Sequence, residues 1–165
     1  MKKYAKPSVD ELRRTVTLKT TLGTLKIRTA PEWAPENVRA FLNLAASGWY
    51  NGTDFHRISK GFVVQGGMGY SRRVDSAEKP THAADRWVHP LPAEFRDDVK
   101  HVRGIVSMAR GSDPNSAETS FFIMLDTSSP LDNQYSAFGK MIEGDEVLAA
   151  FEKEEVDGEK PKRRL

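Results

Sequence analysis

The run Asp54 to Gly67, DFHRISKGFVVQGG, sets one arginine a few residues ahead of an apolar pair, a glutamine and two glycines. Phe55, Ile58, Phe62, Val63 and Val64 have strand character, and Ser59, Lys60 and Gly61 interrupt them as a turn would, so the run reads as a β-hairpin with a polar tip. Alternation along a strand puts Phe55 and Arg57 on one face and His56 and Ile58 on the other. A guanidinium beside apolar side chains is costly unless its donors find acceptors, so Arg57 needs an internal carboxylate or carbonyl, or a ligand. The chemistry open to such a residue is hydrogen-bond donation from a fixed charge. The plainer alternative is a surface arginine snorkelling from an edge strand.

Other chemistries find little support. The four histidines are scattered: His56 lies in the hairpin, and His82, His89 and His101 lie in or beside an irregular middle. His82 and His89 with Asp85 lack both cysteine and the ligand spacing of a zinc site. There is no Walker loop, no G-x-S-x-G elbow and no H-E-x-x-H, so hydrolase and nucleotide-dependent readings have no motif. No metal or cofactor is expected.

A second cluster follows in Gly104 to Ala109 (GIVSMA), the loop Arg110 to Ala117 (RGSDPNSA) and Thr119 to Met124 (TSFFIM). Together with DFHRISKGFVVQGG, with LDNQYSAFGKMIEG (Leu131 to Gly144) and with the N-terminal hairpin and helix, it resembles the cyclophilin family of peptidyl-prolyl cis/trans isomerases. The likeness runs between residues 14 and 156, with its blocks in the family's order and near its spacing.

The resemblance implies an enzyme that accelerates rotation about X-Pro bonds and assists folding. On that likeness Arg57 matches the catalytic arginine. Phe62, Val63, Phe122 and Leu131 match the proline pocket, although without the resemblance all four read as ordinary core. Gln65 matches the glutamine that bonds the substrate backbone and helps orient the arginine. Ala109 and Arg110 occupy the stretch whose main chain pairs with an extended peptide. Phe121, alternating with Phe122, faces the opposite side and belongs to the core.

Four positions depart from the family's better-known members. Arg110 stands for an asparagine, Ser120 for a glutamine, Pro130 for a tryptophan and Tyr135 for a histidine. Tyrosine still offers an aromatic face and a hydroxyl, so activity is expected to persist. Loss of the indole donor implies weak binding of cyclosporin. The rival reading is a proline-peptide-binding module or holdase-type chaperone with little rate enhancement. A scaffold role for the Met68 to Asp98 segment is compatible with catalysis.

These residues need elements to position them. Residues 15 to 29 read as a hairpin, with Val16 and Leu18, then Leu25 and Ile27, alternating around a turn at Gly23. Pro35 opens a helix with Val38, Phe41, Leu42 and Ala45 on one face, and Gly48 closes it. The stretch from Met68 to Asp98 loses periodicity and reads as a long ordered loop with a short strand near Glu94 and Phe95. Strands resume at 104–109, 121–125 and 136–142, and Val147, Leu148 and Phe151 mark a second short helix. The resemblance makes this mainly β architecture a closed eight-stranded antiparallel barrel capped by two helices, its final strand short or missing after Gly158. Residues 1–13 form an N-terminal extension and 14–165 a single domain.

Composition sets outer limits. A chain of 165 residues buries about two-thirds of its unfolded surface in one core and needs no metal or disulfide to do so. There is no cysteine, hence no disulfide and no thiol nucleophile. With 25 basic and 23 acidic residues the net charge is +2, which lends no support to nucleic-acid binding. The basic end, Lys160 to Arg164, reads as a solvated tail. MKKYAKPSVDELRR has the lysines of a leader but no apolar stretch after them, and no run reaches the roughly eighteen apolar residues of a membrane span. A cytoplasmic monomer is therefore expected, or a periplasmic one if a leader precedes Met1.

Overall fold

The computed structural model describes residues 7–73 and 87–165. Thr15–Thr20 (β1) and Gly23–Thr29 (β2) pair antiparallel, Val16 opposite Ile27 and Leu18 opposite Leu25. Pro35–Ala46 (α1) starts with proline, whose missing N–H would have had no helical partner. Its remaining first-turn amides are met from a distance: the Glu94 carboxylate accepts from Glu36 N at 3.2 Å and from Asn37 N at 2.8 Å. Arg57–Ser59 (β3) and Val63–Gly66 (β4) form the expected hairpin. Ile105–Met108 (β5), Phe121–Met124 (β6) and Ala137–Glu143 (β7) follow, then Asp145–Glu152 (α2). Val156–Asp157 (β8) and Lys160–Pro161 (β9) close the chain as a small separate hairpin.

The main sheet runs β1-β2-β7-β5-β6-β4-β3, all antiparallel, and curls into an open half-barrel. Alternation along its central strands divides two apolar clusters. Val64, Val106, Phe121 and Ile123 face inward with Phe41 of α1 and Leu148 and Phe151 of α2. Val63, Ile105, Phe122 and Met124 face the other way, with Phe62, Leu131 and Tyr135 laid over them. Both faces of β5 and β6 are thus covered, and each fully buried apolar side chain contributes about 1.5–3 kcal/mol relative to exposure. Aromatic contacts tie the helices to the sheet: Phe41 to Phe138 at 4.9 Å and Phe151 to Phe55 at 4.9 Å.

Four expectations need correction. The barrel is not closed with eight strands: after α2 the chain turns back at Gly158 (φ 64°) into two very short strands. That segment bonds to β3, with Ile58 N donating to Glu159 O (2.8 Å), and to the residues leading into it, with Phe55 N donating to Leu165 O (3.0 Å), and among the described residues nothing pairs with the outer edge of β1. No strand forms at Glu94 and Phe95. A single bridge joins Leu91 to Ala117 instead, and Glu94 is occupied with capping α1. Phe55 does not share a face with Arg57, because β3 begins only at Arg57 and Phe55 turns into the inner cluster.

The basic end is not a loose tail either. Arg163 pairs with Glu154, Arg164 donates to Asp54 and to the carbonyls of Gly52 and Ser71, and Leu165 is buried. Part of the Met68 to Asp98 segment, residues 74–86, lies outside the described residues. No helix among the described residues is long and apolar enough to cross a membrane.

Candidate active site

Arg57 and Gln65 stand opposite each other in the β3–β4 register. Arg57 Nη1 donates to Gln65 Oε1 at 3.1 Å, Gln65 Nε2 donates to Ser120 Oγ at 3.2 Å, and Ser120 Oγ donates to Gly66 O at 2.9 Å. The relay fixes the amide's orientation, since its oxygen faces the guanidinium and its nitrogen the hydroxyl. On the other side Arg57 Nη2 lies 3.0 Å from Glu159 Oε2. This pair, together with a Ser59 hydrogen bond, holds the Glu159 carboxyl below the usual glutamate range. The Phe62 ring sits 6.0 Å from the guanidinium carbon, so the aromatic neighbour of Arg57 is Phe62 rather than Phe55. Gly67, with φ +81°, follows β4, and a Cβ there would lie 2.9 Å from Thr119 O. This accounts for the last glycine of the run.

These residues open onto a cavity of about 200 Å³. Phe62, Val63, Phe122, Leu131 and Tyr135 line it together with Arg57, Gln65, Ala109 and Arg110. Nine of the ten expected site residues therefore meet at one cavity, and the tenth, Ser120, holds Gln65. Arg110 is anchored to the rim by two hydrogen bonds to Gln134 O (3.0 and 2.8 Å), and its guanidinium lies over Phe95 and Tyr135 at 5.4 and 4.7 Å. Ala109 N already donates to Ser120 O. Pro130 lies exposed on the 3₁₀ turn Ser129–Leu131.

Sequence reasoning missed the support behind the pocket. The His101 ring stacks on Phe122 (6.2 Å between centroids, 27°), and Tyr135 meets Phe122 edge-on at 5.5 Å. His101 Nδ1 lies 3.1 Å from Asp132 Oδ1 and His101 Nε2 lies 3.1 Å from Ser107 Oγ. This Asp–His–Ser order resembles a nucleophile relay, yet Ser107 and His101 are only 0% and 1% exposed, so the set braces Phe122 and has no access to substrate. Glu159 was also missed, since nothing in a common acidic residue after a D-G turn points to an arginine far back in the chain. His82 and Asp85 lie outside the described residues, and no metal-holding group of three side chains occurs among those described. A larger cavity of about 510 Å³ runs beside the open edge of β1, away from Arg57.

Comparison with known proteins agrees with this geometry. Residues 15–165 match the family model described as cyclophilin type peptidyl-prolyl cis-trans isomerase/CLD. The chain is 39% identical over 148 residues to peptidyl-prolyl cis-trans isomerase CYP18-1 of Arabidopsis thaliana, covering 88% of each. It is 38% identical over 138 residues to CYP23 of the same plant, covering 83% of this chain but 59% of that longer relative. A solved cyclophilin type isomerase of Cryptosporidium parvum, in the presence of the dipeptide Ala-Pro, superposes with a TM-score of 0.78 at 32% identity over 92% of this chain and 93% of that one. The chain belongs to the cyclophilin-type peptidyl-prolyl cis-trans isomerases.

Proposed function

We propose that this chain isomerises X-Pro bonds at the Arg57 cavity by donating a hydrogen bond to the prolyl nitrogen. Resonance across the C–N bond creates the barrier, roughly 18–20 kcal/mol. As the bond twists, the nitrogen pyramidalises and its lone pair becomes an acceptor that the planar ground state does not offer. A donor aimed there is felt in the transition state and scarcely in the substrate, which is the condition for raising turnover. A guanidinium suits the role because it stays charged at any working pH. A charge-assisted hydrogen bond of about 1.5–3 kcal/mol corresponds to roughly ten- to a hundredfold in rate.

The cavity completes the requirement. It is smaller than the roughly 300–1,000 Å³ of drug-sized sites and suits a single ring. Phe62, Val63, Phe122 and Leu131 grip that ring, Gln65 takes the substrate backbone, and the main chain at Ala109 and Arg110 pairs with the extended peptide. Proline-containing peptides and folding chains are the substrates on this reading. The observation that carries it is Arg57, held from two sides at the rim of a cavity that Phe62, Val63, Phe122 and Leu131 line.

Exchange NMR on an Ala-Pro-Phe peptide tests it without a coupled protease. Fast cis/trans exchange with wild type, falling at least about tenfold in a folded Arg57→Ala variant, is the expected result. Peptide binding without acceleration by wild type would instead assign a binding module. Cyclosporin titrated into the same assay is expected to inhibit weakly, because Pro130 offers no indole donor, and tight inhibition would remove that part of the reading.

A further inference from the structure

We propose that Glu159 is a positioning residue for Arg57, so that the turn between β8 and β9 is a working part of the active site. The inference rests on the reading of Arg57 as the donor. Ile58 N donates to Glu159 O at 2.8 Å, which lays Glu159 alongside β3. Arg57 and Ser59 lie two residues apart on one face of that strand, beside the Glu159 carboxylate, whose Oε2 is 3.0 Å from Arg57 Nη2. Glu159 is not among the residues lining the cavity, so it acts through Arg57 rather than on a substrate.

The physical case is one of lost freedom. An arginine side chain carries about 2 kcal/mol of rotamer entropy, and Arg57 sits at a rim where its side chain remains 35% exposed. Gln65 alone takes one Nη1 donor and leaves the guanidinium free to pivot about that bond. Glu159 pairs with Nη2 at 3.0 Å, and two anchors on different nitrogens fix the plane of the fork. The remaining donors are then directed before substrate arrives.

The turn that carries Glu159 is itself held. Val156 pairs with Pro161 and Asp157 with Lys160, Gly158 adopts the left-handed conformation the turn requires, and Arg163 is bound to Glu154. The chain from α2 to Leu165 thus forms a rigid arm whose tip meets Arg57.

The test compares Glu159→Ala, Glu159→Gln and Arg57→Ala in the exchange NMR assay, with the side-chain resonances of Arg57 as a second readout. Glu159→Ala is expected to lower kcat about three- to tenfold with KM within about twofold, and to speed rotation of the Arg57 Nη groups. Glu159→Gln, which keeps an acceptor oxygen, is expected to lose less. Added to Arg57→Ala, the Glu159→Ala change is expected to have no further effect on kcat. Unchanged kcat and unchanged Arg57 dynamics in Glu159→Ala, with Arg57→Ala inactive, would overturn the positioning role alone. Full activity in Arg57→Ala would overturn the donor reading on which it rests. A loss in kcat that persists undiminished in the Arg57→Ala background would show a structural effect and also overturn the proposal.

Discussion

Behind the candidate site, His101 is the residue whose environment makes the sharpest claim. Its ring is closed to solvent between Phe122, Ser107 and Asp132, and burial lowers its pKa below 6.5 although Asp132 pulls it upward. As pH falls through 6.5 the unfolded chain takes up a proton that the folded protein still refuses, so stability falls until the lower folded pKa is reached and then levels. His56, lowered mainly by burial against an upward pull from Asp54, with a smaller downward push from Arg57, acts in the same direction. Each contributes a slope of at most about 1.4 kcal/mol per pH unit in that window. Urea unfolding between pH 7.5 and 5.5 should show the loss, and His101→Gln should flatten it by one histidine's share; an unaltered slope in that variant would exclude His101. No feature of the sequence marked this histidine, because a brace is defined by what stacks on it. Arg57 stood out for the opposite reason, since a guanidinium within an apolar hairpin has few satisfying environments, whereas Gln65 and Phe122 were reached only through the family resemblance. Even so, the facing of Phe55 was misjudged, since alternation holds only inside a strand and β3 begins two residues later.

At the scale of elements, the strands and both helices emerge where hydrophobic period places them, and the failures fall where one element is completed by another. α1 has alanine at its N-cap and no capping side chain of its own. Glu94, far along the chain, supplies the carboxylate, and its Oε1 also accepts from the buried Asn37 Nδ2 at 2.6 Å. A local reading of Glu94 and Phe95 as a strand could not see this, because the partner amides lie at the start of a distant helix. The carboxylate accepts three hydrogen bonds and opposes the positive end of the helix, whose Phe41 packs on Phe121 in the sheet. Glu94→Ala should therefore cost about 2 kcal/mol in urea unfolding and Glu94→Gln about half as much. A loss below about 0.5 kcal/mol in the alanine variant would mean that water caps the helix equally well. The arm from α2 to Leu165 has the same character. Its arginines read as a charged tail because each partner, Glu154 on one side and Asp54 with two carbonyls on the other, is fixed only by the fold.

The molecule as a whole is a half-barrel with unequal edges. At one end β3 is covered by the arm, through the bonds at Phe55 and Ile58, and the candidate site at Arg57 lies against that covered edge. At the other end β1 is paired on one side only among the described residues. Arg14 O accepts from Thr29 N at 2.9 Å, and antiparallel pairing then alternates, so Val16 and Leu18 exchange bonds with Ile27 and Leu25 while the N–H groups of Thr17 and Lys19 point outward. Polar side chains on these outward positions and a lysine at the edge limit strand-to-strand association, which is how an exposed edge is made tolerable. The open groove beside it, about 510 Å³ in volume, reaches Phe41, Phe55 and Phe121 of the inner core. Amide exchange followed by NMR discriminates between a free edge and a covered one. Val16 and Leu18 should be protected to near the level of the central strands, whereas Thr17 and Lys19 should exchange more than about a hundredfold faster despite lying in the same strand. Equal protection of all four amides would mean that the outer edge of β1 is paired in solution and the barrel closed, and the site would then rest on a stiffer frame than seven strands provide.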